Sequence, residues 1–233
     1  MAATHALFTL KDVDIQYNDD QYAIVATADI PVGTLVLLEH VIWNTKYEPL
    51  LAALEIDKNL YKTLYPRLTS DEAFPDKAMD KIQFNAFRFY KDEFVIGSIV
   101  SKLNHSCKPN CHMGIADHIE GAKIYGIWVH RKITNGQQLT LDYVNCGDIK
   151  FHNSMLAQHG IQSCGCSDEY ILKNANRSEI HMNMSSTFCE KERARITNMV
   201  DAYVGSAKYK ATLKTQSMAV NNASRFLLQD EDV

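Results

Sequence analysis

Residues 104–112 read Asn-His-Ser-Cys-Lys-Pro-Asn-Cys-His and form the densest cluster of polar and sulfur-containing side chains in the chain. Cysteine and histidine are the ligands that Zn²⁺ prefers in proteins. With Cys164 and Cys166 the two cysteines of this stretch would supply four thiolates, but the C-x3-C and C-x-C spacings differ from the common C-x2-C pairs. From the residues alone, a metal loop and a set of unrelated buried thiols are both open interpretations.

The segments on either side of this stretch have the pattern of β-strands. Residues 7–38 carry apolar side chains in alternation or in short runs, interrupted at 18–20 and at 29–33, which predicts three short strands joined by turns. Residues 123–130 and 138–144 predict two more strands, separated by a turn over Thr134-Asn135-Gly136.

Two other segments have helical periodicity. Between Pro49 and Phe89 the apolar residues recur at helical spacing, with interruptions near Pro66 and Pro75. Beyond Cys166 the pattern is helical to about Leu228. The order of strands, helical insert, strands and helical tail predicts an α+β fold rather than a regular β-α alternation. We find no internal repeat and no linker that would separate a second independent domain.

Composition excludes several classes of protein. The chain has 233 residues, 46% of them hydrophobic and 22% charged, which is typical of a globular domain and not of a disordered or fibrous chain. The net charge of −4 argues against direct nucleic-acid binding. No run approaches the roughly 18 apolar residues of a membrane span, and the N-terminus lacks the pattern of a signal peptide. We therefore expect no membrane association and an intracellular location, in the nucleus or cytoplasm, with reduced cysteines.

Negative charge is concentrated at the start of the chain. Residues 1–40 contain one lysine against six acidic residues. Such a bias is usually a solvated surface, but an acidic surface beside a binding site would also attract a basic peptide.

The motifs together resemble the SET-domain family of protein lysine methyltransferases. The matching segments, in chain order, are residues 26–36 (ATADIPVGTLV), Asn85-Ala86-Phe87, Asn104-His105-Ser106-Cys107-x-Pro109-Asn110, Gly136-x-x-Leu139-Thr140-x-Asp142-Tyr143 and Cys164-x-Cys166. The segment at Asn85 is closest to the SMYD-type branch. The zinc-binding MYND module of that branch is absent, because residues 43–84 contain no cysteine.

The resemblance implies a fold of small curved β-sheets with a knot-like C-terminal crossing, in which the segment after Tyr143 passes beneath the loop that carries Asn104 and His105. We expect a SET domain at 1–166, with a helical insert at about 43–94 and a post-SET cysteine segment at 159–166. Residues 167–233 would form a helical C-terminal extension, which most simply packs on the core.

The resemblance also implies an activity, S-adenosylmethionine-dependent methylation of lysine in a histone or another basic protein or peptide. Tyr143 would be the catalytic residue, with its hydroxyl facing the transferred methyl group. The cofactor would be bound by Asn104, His105, Asn85, Tyr22, Ala23 and Tyr143. Two alternatives remain open: a catalytically weak SET-like module that binds a basic peptide or partner, and a SET enzyme with a non-protein substrate.

The chain departs from the family pattern at three places. Gln21-Tyr22-Ala23-Ile24 replaces a Gly-x-Gly cofactor loop, so Cβ atoms occupy positions where glycine permits close approach. His159-Gly160-Ile161 replaces aromatic residues that line the lysine channel, for which Tyr170 is a candidate substitute. Cys107, Cys164 and Cys166 match three zinc ligands of the family, but the fourth is missing. The candidates for that place are Cys111, Cys189, Glu169 or a histidine.

Overall fold

The computed structural model describes most of the strand-forming part of the chain and parts of the remainder. The described residues are 6–18, 21–44, 50, 82, 84–89, 93–119, 122–144, 149–159, 161–162, 164–170 and 186–205. Within these ranges we find no helix that combines the length and the apolar character needed to span a lipid bilayer.

The described residues form ten strands, two α-helices and a short 3-10 helix. The strands are β1 (Ala6–Thr9), β2 (Val13–Asn18), β3 (Gln21–Ala26), β4 (Leu35–Asn44), β5 (Phe87–Phe89), β6 (Glu93–Ile96), β7 (Asn104–His105), β8 (Cys111–Ile119), β9 (Ala122–Val129) and β10 (Thr140–Leu141). The helices are α1 (Ile149–Gln158) and α2 (Ser186–Val204). The 3-10 helix, Val100–Lys102, leads directly into β7.

The strands form three sheets. The largest has the order β5-β6-β4-β9-β8, with β1 also paired to β4, and all its pairs are antiparallel. Strands β2 and β3 form an antiparallel hairpin, and β7 and β10 form a parallel pair of two residues each. The architecture of small antiparallel sheets with few helices agrees with the α+β prediction.

Apolar side chains cover both faces of β4, which explains its continuous Leu-Val-Leu-Leu run. Val36 and Leu37 belong to the main core, together with residues of β3, β9 and the segment around β10. Leu35 and Leu38 belong to a second cluster on the opposite face. Helix α2 covers that second cluster with Ile196 and Val200, so part of the predicted C-terminal extension packs on the sheet.

The structure differs from the predicted elements at both ends of the helical insert. Strand β4 continues to Asn44, and the region after Asn85 contains β5 and β6, so the prediction of helix as far as Phe89 is wrong. The spacing of Ala86 and Phe87 suits a helix, but pairing of Phe87–Phe89 with β6 decides the local structure. Residue 82 and residues 84–85 are helical, whereas 45–49 and 51–81 lie outside the described residues.

Three further strands, β1, β7 and β8, were not predicted at all. Strand β1 has only four residues and depends on its pairing with β4. Strand β8 begins inside the cysteine and histidine cluster and mixes polar with apolar residues, so it lacks a clear alternating pattern. It is stabilised by pairing along nearly its whole length with the apolar strand β9. Much of the predicted tail, 171–185 and 206–233, lies outside the described residues.

Candidate functional site

The parallel pair of β7 and β10 brings together two of the segments that match the family, residues 104–110 and 136–143, which we call the two signature segments. Asn104 lies opposite Thr140, and His105 lies opposite Leu141. The Ser106 N–H continues the pairing by donating to the Leu141 carbonyl oxygen at 2.9 Å. Two segments that are far apart in sequence therefore share one short backbone ladder at the site.

Asn110 fastens the loop after β7 to the strand entering β10. Its side chain is buried and makes two hydrogen bonds with backbone groups: Oδ1 accepts from the Thr140 N–H at 2.9 Å, and Nδ2 donates to the Gln138 carbonyl at 2.8 Å. Its own carbonyl oxygen accepts from the N–H groups of His130 and Arg131. This clamp gives a structural reason for the asparagine that ends the motif, a role that the sequence analysis did not assign.

Tyr143 lies half-buried between rings and a backbone carbonyl group. Its hydroxyl donates to the Leu103 carbonyl oxygen, in the residue just before β7. Its ring packs against Phe87 at 5.2 Å between centroids, His105 at 5.3 Å and His159 at 4.8 Å. We call Phe87, His105 and His159 the aromatic wall.

His159 takes part in this wall at the position where the sequence analysis noted a lost aromatic residue. Its Nδ1 donates to the Phe84 carbonyl at 3.2 Å, and burial lowers its pKa, so the ring is neutral near pH 7. Neutral imidazole is planar and aromatic, which is the signal that could have identified His159 as the replacement. Tyr170, the other candidate, donates its hydroxyl hydrogen to the Cys107 carbonyl at 3.0 Å.

His105 connects Tyr143 to Cys107. Its Nδ1 accepts a hydrogen bond from the Tyr143 N–H at 3.2 Å, and its Nε2 lies 3.1 Å from the Cys107 sulfur. Burial, together with the nearby rings of His152 and His159, lowers the pKa of His105 to about 4. The ring is therefore neutral with its hydrogen on Nε2, which donates to the sulfur.

Asp142 lies close to His105 without forming an ion pair at neutral pH. Its Oδ1 is 3.8 Å from the His105 Nδ1, which carries no hydrogen in the tautomer described above. Burial raises the pKa of Asp142 to about 6, although the Val144 N–H that donates to its carboxylate opposes the shift. The contact therefore supplies little electrostatic stabilisation.

The edge of β3 that carries Tyr22 faces the start of β7. Asn104 Nδ2 donates to the Tyr22 carbonyl oxygen at 2.8 Å. The Lys102 ammonium group lies 4.9 Å from the centre of the Tyr22 ring, and Lys102 is buried. The Tyr17 ring also packs against the Tyr22 ring, with 4.7 Å between the ring centroids. Ala23, next along β3, is half-buried.

Asn85 and Glu39 support the 3-10 helix that precedes β7. The Asn85 carbonyl accepts from the Ser101 hydroxyl at 2.9 Å. Glu39 is fully buried, and its carboxylate accepts from the Ser98 hydroxyl at 2.7 Å and from the Val100 N–H at 2.8 Å. It also accepts from the Ile99 N–H, so one carboxylate satisfies the backbone N–H groups at the start of this helix.

The burial of Glu39 also corrects the prediction of an acidic N-terminal surface. One of the six acidic residues of 1–40 is an internal helix cap, and Asp29 is paired with Lys132 at 2.8 Å. Asp19 and Asp20 lie outside the described residues, whereas Asp14 is exposed. The exposed negative charge of this region is therefore smaller than the sequence count indicates.

Three predicted metal ligands come together beside this site. The sulfur atoms of Cys107, Cys164 and Cys166 all lie within 4.8 Å of one another. Burial raises the pKa of the Cys107 thiol, and the neighbouring thiols Cys164 and Cys166 raise it further. The set of three cysteines fits Zn²⁺ chemically.

A histidine that the sequence analysis did not single out contacts two of these cysteines. His152 Nε2 lies 3.5 Å from the Cys107 sulfur and 3.8 Å from the Cys164 sulfur. Two named candidates for the fourth ligand do not join the described cluster, since Cys111 packs in the main core and Glu169 is exposed. The side chain of Cys189, the remaining cysteine candidate, lies outside the described residues.

Comparisons with known proteins identify a family match that covers both signature segments. The sequence profile of the SET domain matches residues 21–144, which is more than half of the chain. A SET domain-containing protein of Acanthamoeba polyphaga mimivirus is 27% identical over 141 residues, which cover 55% of this chain and 43% of the viral protein. The human histone-lysine N-methyltransferase 2B is 34% identical over 74 residues, or 29% of this chain and 3% of that enzyme.

The chain thus spans less than half the length of these two curated relatives. Among solved structures, a Plasmodium falciparum protein named as an inferred histone methyltransferase overlaps with 58% of this chain and 95% of its own, at 14% identity and a TM-score of 0.35.

Proposed function

Because the chain belongs to the SET domain family, we propose that it is an S-adenosylmethionine-dependent protein lysine N-methyltransferase. The observation that carries the proposal is the position of Tyr143, whose hydroxyl is fixed by the Leu103 carbonyl inside the aromatic wall. It lies where β7 and β10 join the two signature segments. The human relative named a histone-lysine N-methyltransferase favours a lysine in a histone or another basic protein as substrate.

The arrangement around Tyr143 suits transfer of a methyl group to an amine. S-adenosylmethionine, when bound, supplies a methyl group on a positively charged sulfur atom. Because the Tyr143 hydroxyl donates its hydrogen to Leu103, its oxygen would act as the acceptor that orients a lysine nitrogen and the methyl hydrogens. Apolar and aromatic surroundings lower the pKa of a lysine, which favours the neutral amine that can attack. Positioning of this kind can contribute on the order of 7–11 kcal/mol to lowering a barrier.

The residues at β3 and β7 fit the cofactor chemically. The buried ammonium group of Lys102 is a positive charge suited to the carboxylate of the methionyl end. Tyr22, whose ring is in contact with Lys102, and Ala23 would contribute through their backbone, although glycine is absent. In this proposal Asn104 and His105 hold the cofactor from β7, and Asn85 also contacts it.

The proposal also covers features that the family match does not specify: the chain crossing, the domain bounds, the branch of the family, the location and the zinc site. Residues after Tyr143 would pass beneath the loop carrying Asn104 and His105, and the parallel pairing of β7 with β10 supports this crossing. A SET domain at 1–166 would be followed by a helical extension at 167–233, and Asn85-Ala86-Phe87 favours the SMYD-type branch without its MYND module. The location would be the nucleus or cytoplasm. Zn²⁺ held by Cys107, Cys164 and Cys166 would fix the post-SET segment to the β7 loop.

Methyl transfer is the direct test. The full chain is incubated with S-adenosylmethionine carrying a labelled methyl group and a panel of histones and cell-extract proteins, and donor binding is measured by calorimetry. We expect label on lysine with the wild-type protein, strong loss with Tyr143→Phe, and full activity with the control Tyr17→Phe, at a tyrosine that is 57% exposed. A protein that neither binds the donor nor transfers label would refute the proposal.

The alternative of a non-catalytic module that binds basic peptides has lost part of its support. Its motivation is the missing Gly-x-Gly loop and post-SET aromatic residues, and the acidic N-terminal region is one surface expected to bind the peptide, yet Glu39 is buried and Asp29 is paired with Lys132. The same experiment separates the two functions, since peptide binding without any transfer of label would favour the module.

A further inference from the structure

We propose that His152, on helix α1, is the fourth ligand of a Zn²⁺ ion held by Cys107, Cys164 and Cys166. We further infer that His105, although closer to Cys107 than His152 is, is not a ligand and instead donates a hydrogen bond to the Cys107 sulfur. The inference concerns a structural metal centre and does not depend on methyl transfer by the chain.

The distances around His152 match those between two ligands of one zinc ion. With Zn–S bonds of about 2.3 Å and Zn–N bonds of about 2.0–2.1 Å at tetrahedral angles, a nitrogen and a sulfur ligand lie about 3.6 Å apart. His152 Nε2 lies 3.5 Å from the Cys107 sulfur and 3.8 Å from the Cys164 sulfur. One nitrogen is thus at ligand spacing from two of the three cysteines, and the third, Cys166, belongs to the same compact group of sulfur atoms.

The buried ring of His152 lacks strong hydrogen-bond partners among the described residues. Only 2% of His152 is exposed, and its Nδ1 is buried without a hydrogen-bond partner among the described residues. Its Nε2 faces thiols, which are weak hydrogen-bonding groups. Coordination through Nε2 would give this nitrogen a strong partner in place of weakly bonding thiols.

His105 has a different geometry. Its Nε2 lies 3.1 Å from the Cys107 sulfur, which is shorter than the spacing of about 3.6 Å expected for two ligands and suits an N–H···S hydrogen bond. Its Nδ1 accepts from the Tyr143 N–H, so the ring hydrogen is on Nε2 and that nitrogen has no free lone pair for a metal. A hydrogen bond from His105 would orient the Cys107 thiolate, as residues around metal ligands commonly do.

The assignment explains how the chain compensates for the absent fourth cysteine. The first ligand lies in the loop after β7, the second on helix α1, and the last two in the segment after that helix. One ion would then fasten three successive parts of the chain, including the part that carries His159 against Tyr143.

The test is zinc affinity together with the spectrum of the Co²⁺-substituted protein. Full-length chains are prepared without chelator, and Zn²⁺ affinity is measured by competition with a chromophoric chelator. The wild-type chain should bind one Zn²⁺ tightly. His152→Ala should weaken binding by on the order of 100-fold or more, since even residues that only support ligands contribute 10–100-fold. The Co²⁺ d–d bands of this variant should show a changed ligand set.

Three further variants keep the result interpretable. His152→Cys should restore tight binding and shift the Co²⁺ bands toward those of a four-thiolate site, which also covers the case that His152→Ala fails to fold. The exposed neighbour Asn153→Ala should behave as wild type. His105→Asn should weaken binding by about 10–100-fold, as expected of a residue that only orients a ligand, and leave the ligand set of the Co²⁺ spectrum unchanged.

Several outcomes would overturn the inference. A wild-type chain that binds no zinc would exclude the site, and wild-type affinity and spectrum in His152→Ala or an unchanged spectrum in His152→Cys would exclude His152 as a ligand. Loss of one nitrogen ligand in His105→Asn would assign the place to His105. None of these readouts uses methyl transfer, so a failure here is distinct from a failure of the proposed enzymatic function.

Discussion

The hydroxyl of Tyr143 donates its hydrogen to the carbonyl oxygen of Leu103, so the end of one signature segment is bonded to the start of the other. The bond does more than satisfy a half-buried hydroxyl. It fixes the direction of the oxygen lone pairs at the place where the proposed reaction occurs, while the rings of the aromatic wall fix the plane of the Tyr143 ring.

Tyr143→Phe should therefore separate catalysis from binding. We expect methyl transfer to fall by on the order of 10²–10³-fold, by analogy with removal of one preorganised hydrogen-bonding group in other active sites. Donor affinity should change little, and stability should fall by about 1 kcal/mol for the lost hydrogen bond. Single-turnover rates, donor titration and urea unfolding measure these three quantities. Equal loss of donor affinity and rate would contradict the assigned role.

Asn110→Ala should destabilise the whole site. The change removes two side-chain hydrogen bonds and leaves the Thr140 N–H and the Gln138 carbonyl without their partner, at a cost of about 2–4 kcal/mol. Urea unfolding should show this loss, whereas Asn135→Ala, at an exposed turn, should stay close to wild type. Asn110→Asp keeps the acceptor for Thr140 but loses the donor for Gln138, so an intermediate value is expected. If Asn110→Ala leaves the free energy of unfolding unchanged, Asn110 does not clamp the two segments.

Glu39→Gln should weaken cofactor binding from a distance. The carboxylate accepts three hydrogen bonds at the start of the 3-10 helix, and an amide can accept with only one of its two terminal atoms. We expect a loss of about 1–3 kcal/mol in stability and a weaker donor affinity, because this helix leads into Asn104. Asp14→Asn, at an exposed acidic residue of the same region, is the control. Donor affinity equal to that of the control would show that the cap does not position β7.

Ile196→Ala should test whether α2 is part of the stable core. Ile196 is buried against Leu35, Leu38 and Trp128, and truncation of such a residue costs about 2–5 kcal/mol. The exposed Asn198→Ala in the same helix should leave the free energy of unfolding nearly unchanged. Methyl transfer at low temperature should be retained in both variants. Equal stability of the two would mean that α2 contributes little to folding.

The sequence predicted best those elements whose side chains follow a simple period or a known motif. Alternation and apolar runs predict strands β2, β3 and β4, and the meeting of Asn104 with Thr140 and of His105 with Tyr143 agrees with the resemblance. Strand β5 was taken for helix, because the spacing of Ala86 and Phe87 cannot reveal that β6 will pair beside them.

Long-range partners explain the remaining differences at the site. The sequence does not distinguish a solvated carboxylate from one that caps a buried helix. A count of acidic residues therefore assigns Glu39 to the surface, although it is buried. His152 lies in no motif, and its nearness to Cys107 and Cys164 arises only when α1 packs beside the β7 loop. His159 was read as a lost aromatic residue, although a neutral imidazole can fill the same place against Tyr143.

The short parallel pair of β7 and β10 also has a consequence for the order of folding. These two-residue strands pair with each other. The β8–β9 hairpin lies between them in sequence, so it is part of the loop that their pairing closes. Closing such a loop costs entropy that later contacts must repay, so contacts distant in sequence tend to form slowly. Local hairpins can therefore exist in a nascent chain before the proposed cofactor-binding surface does. A ribosome-bound chain that ends before Thr140 would contain only half of the proposed site.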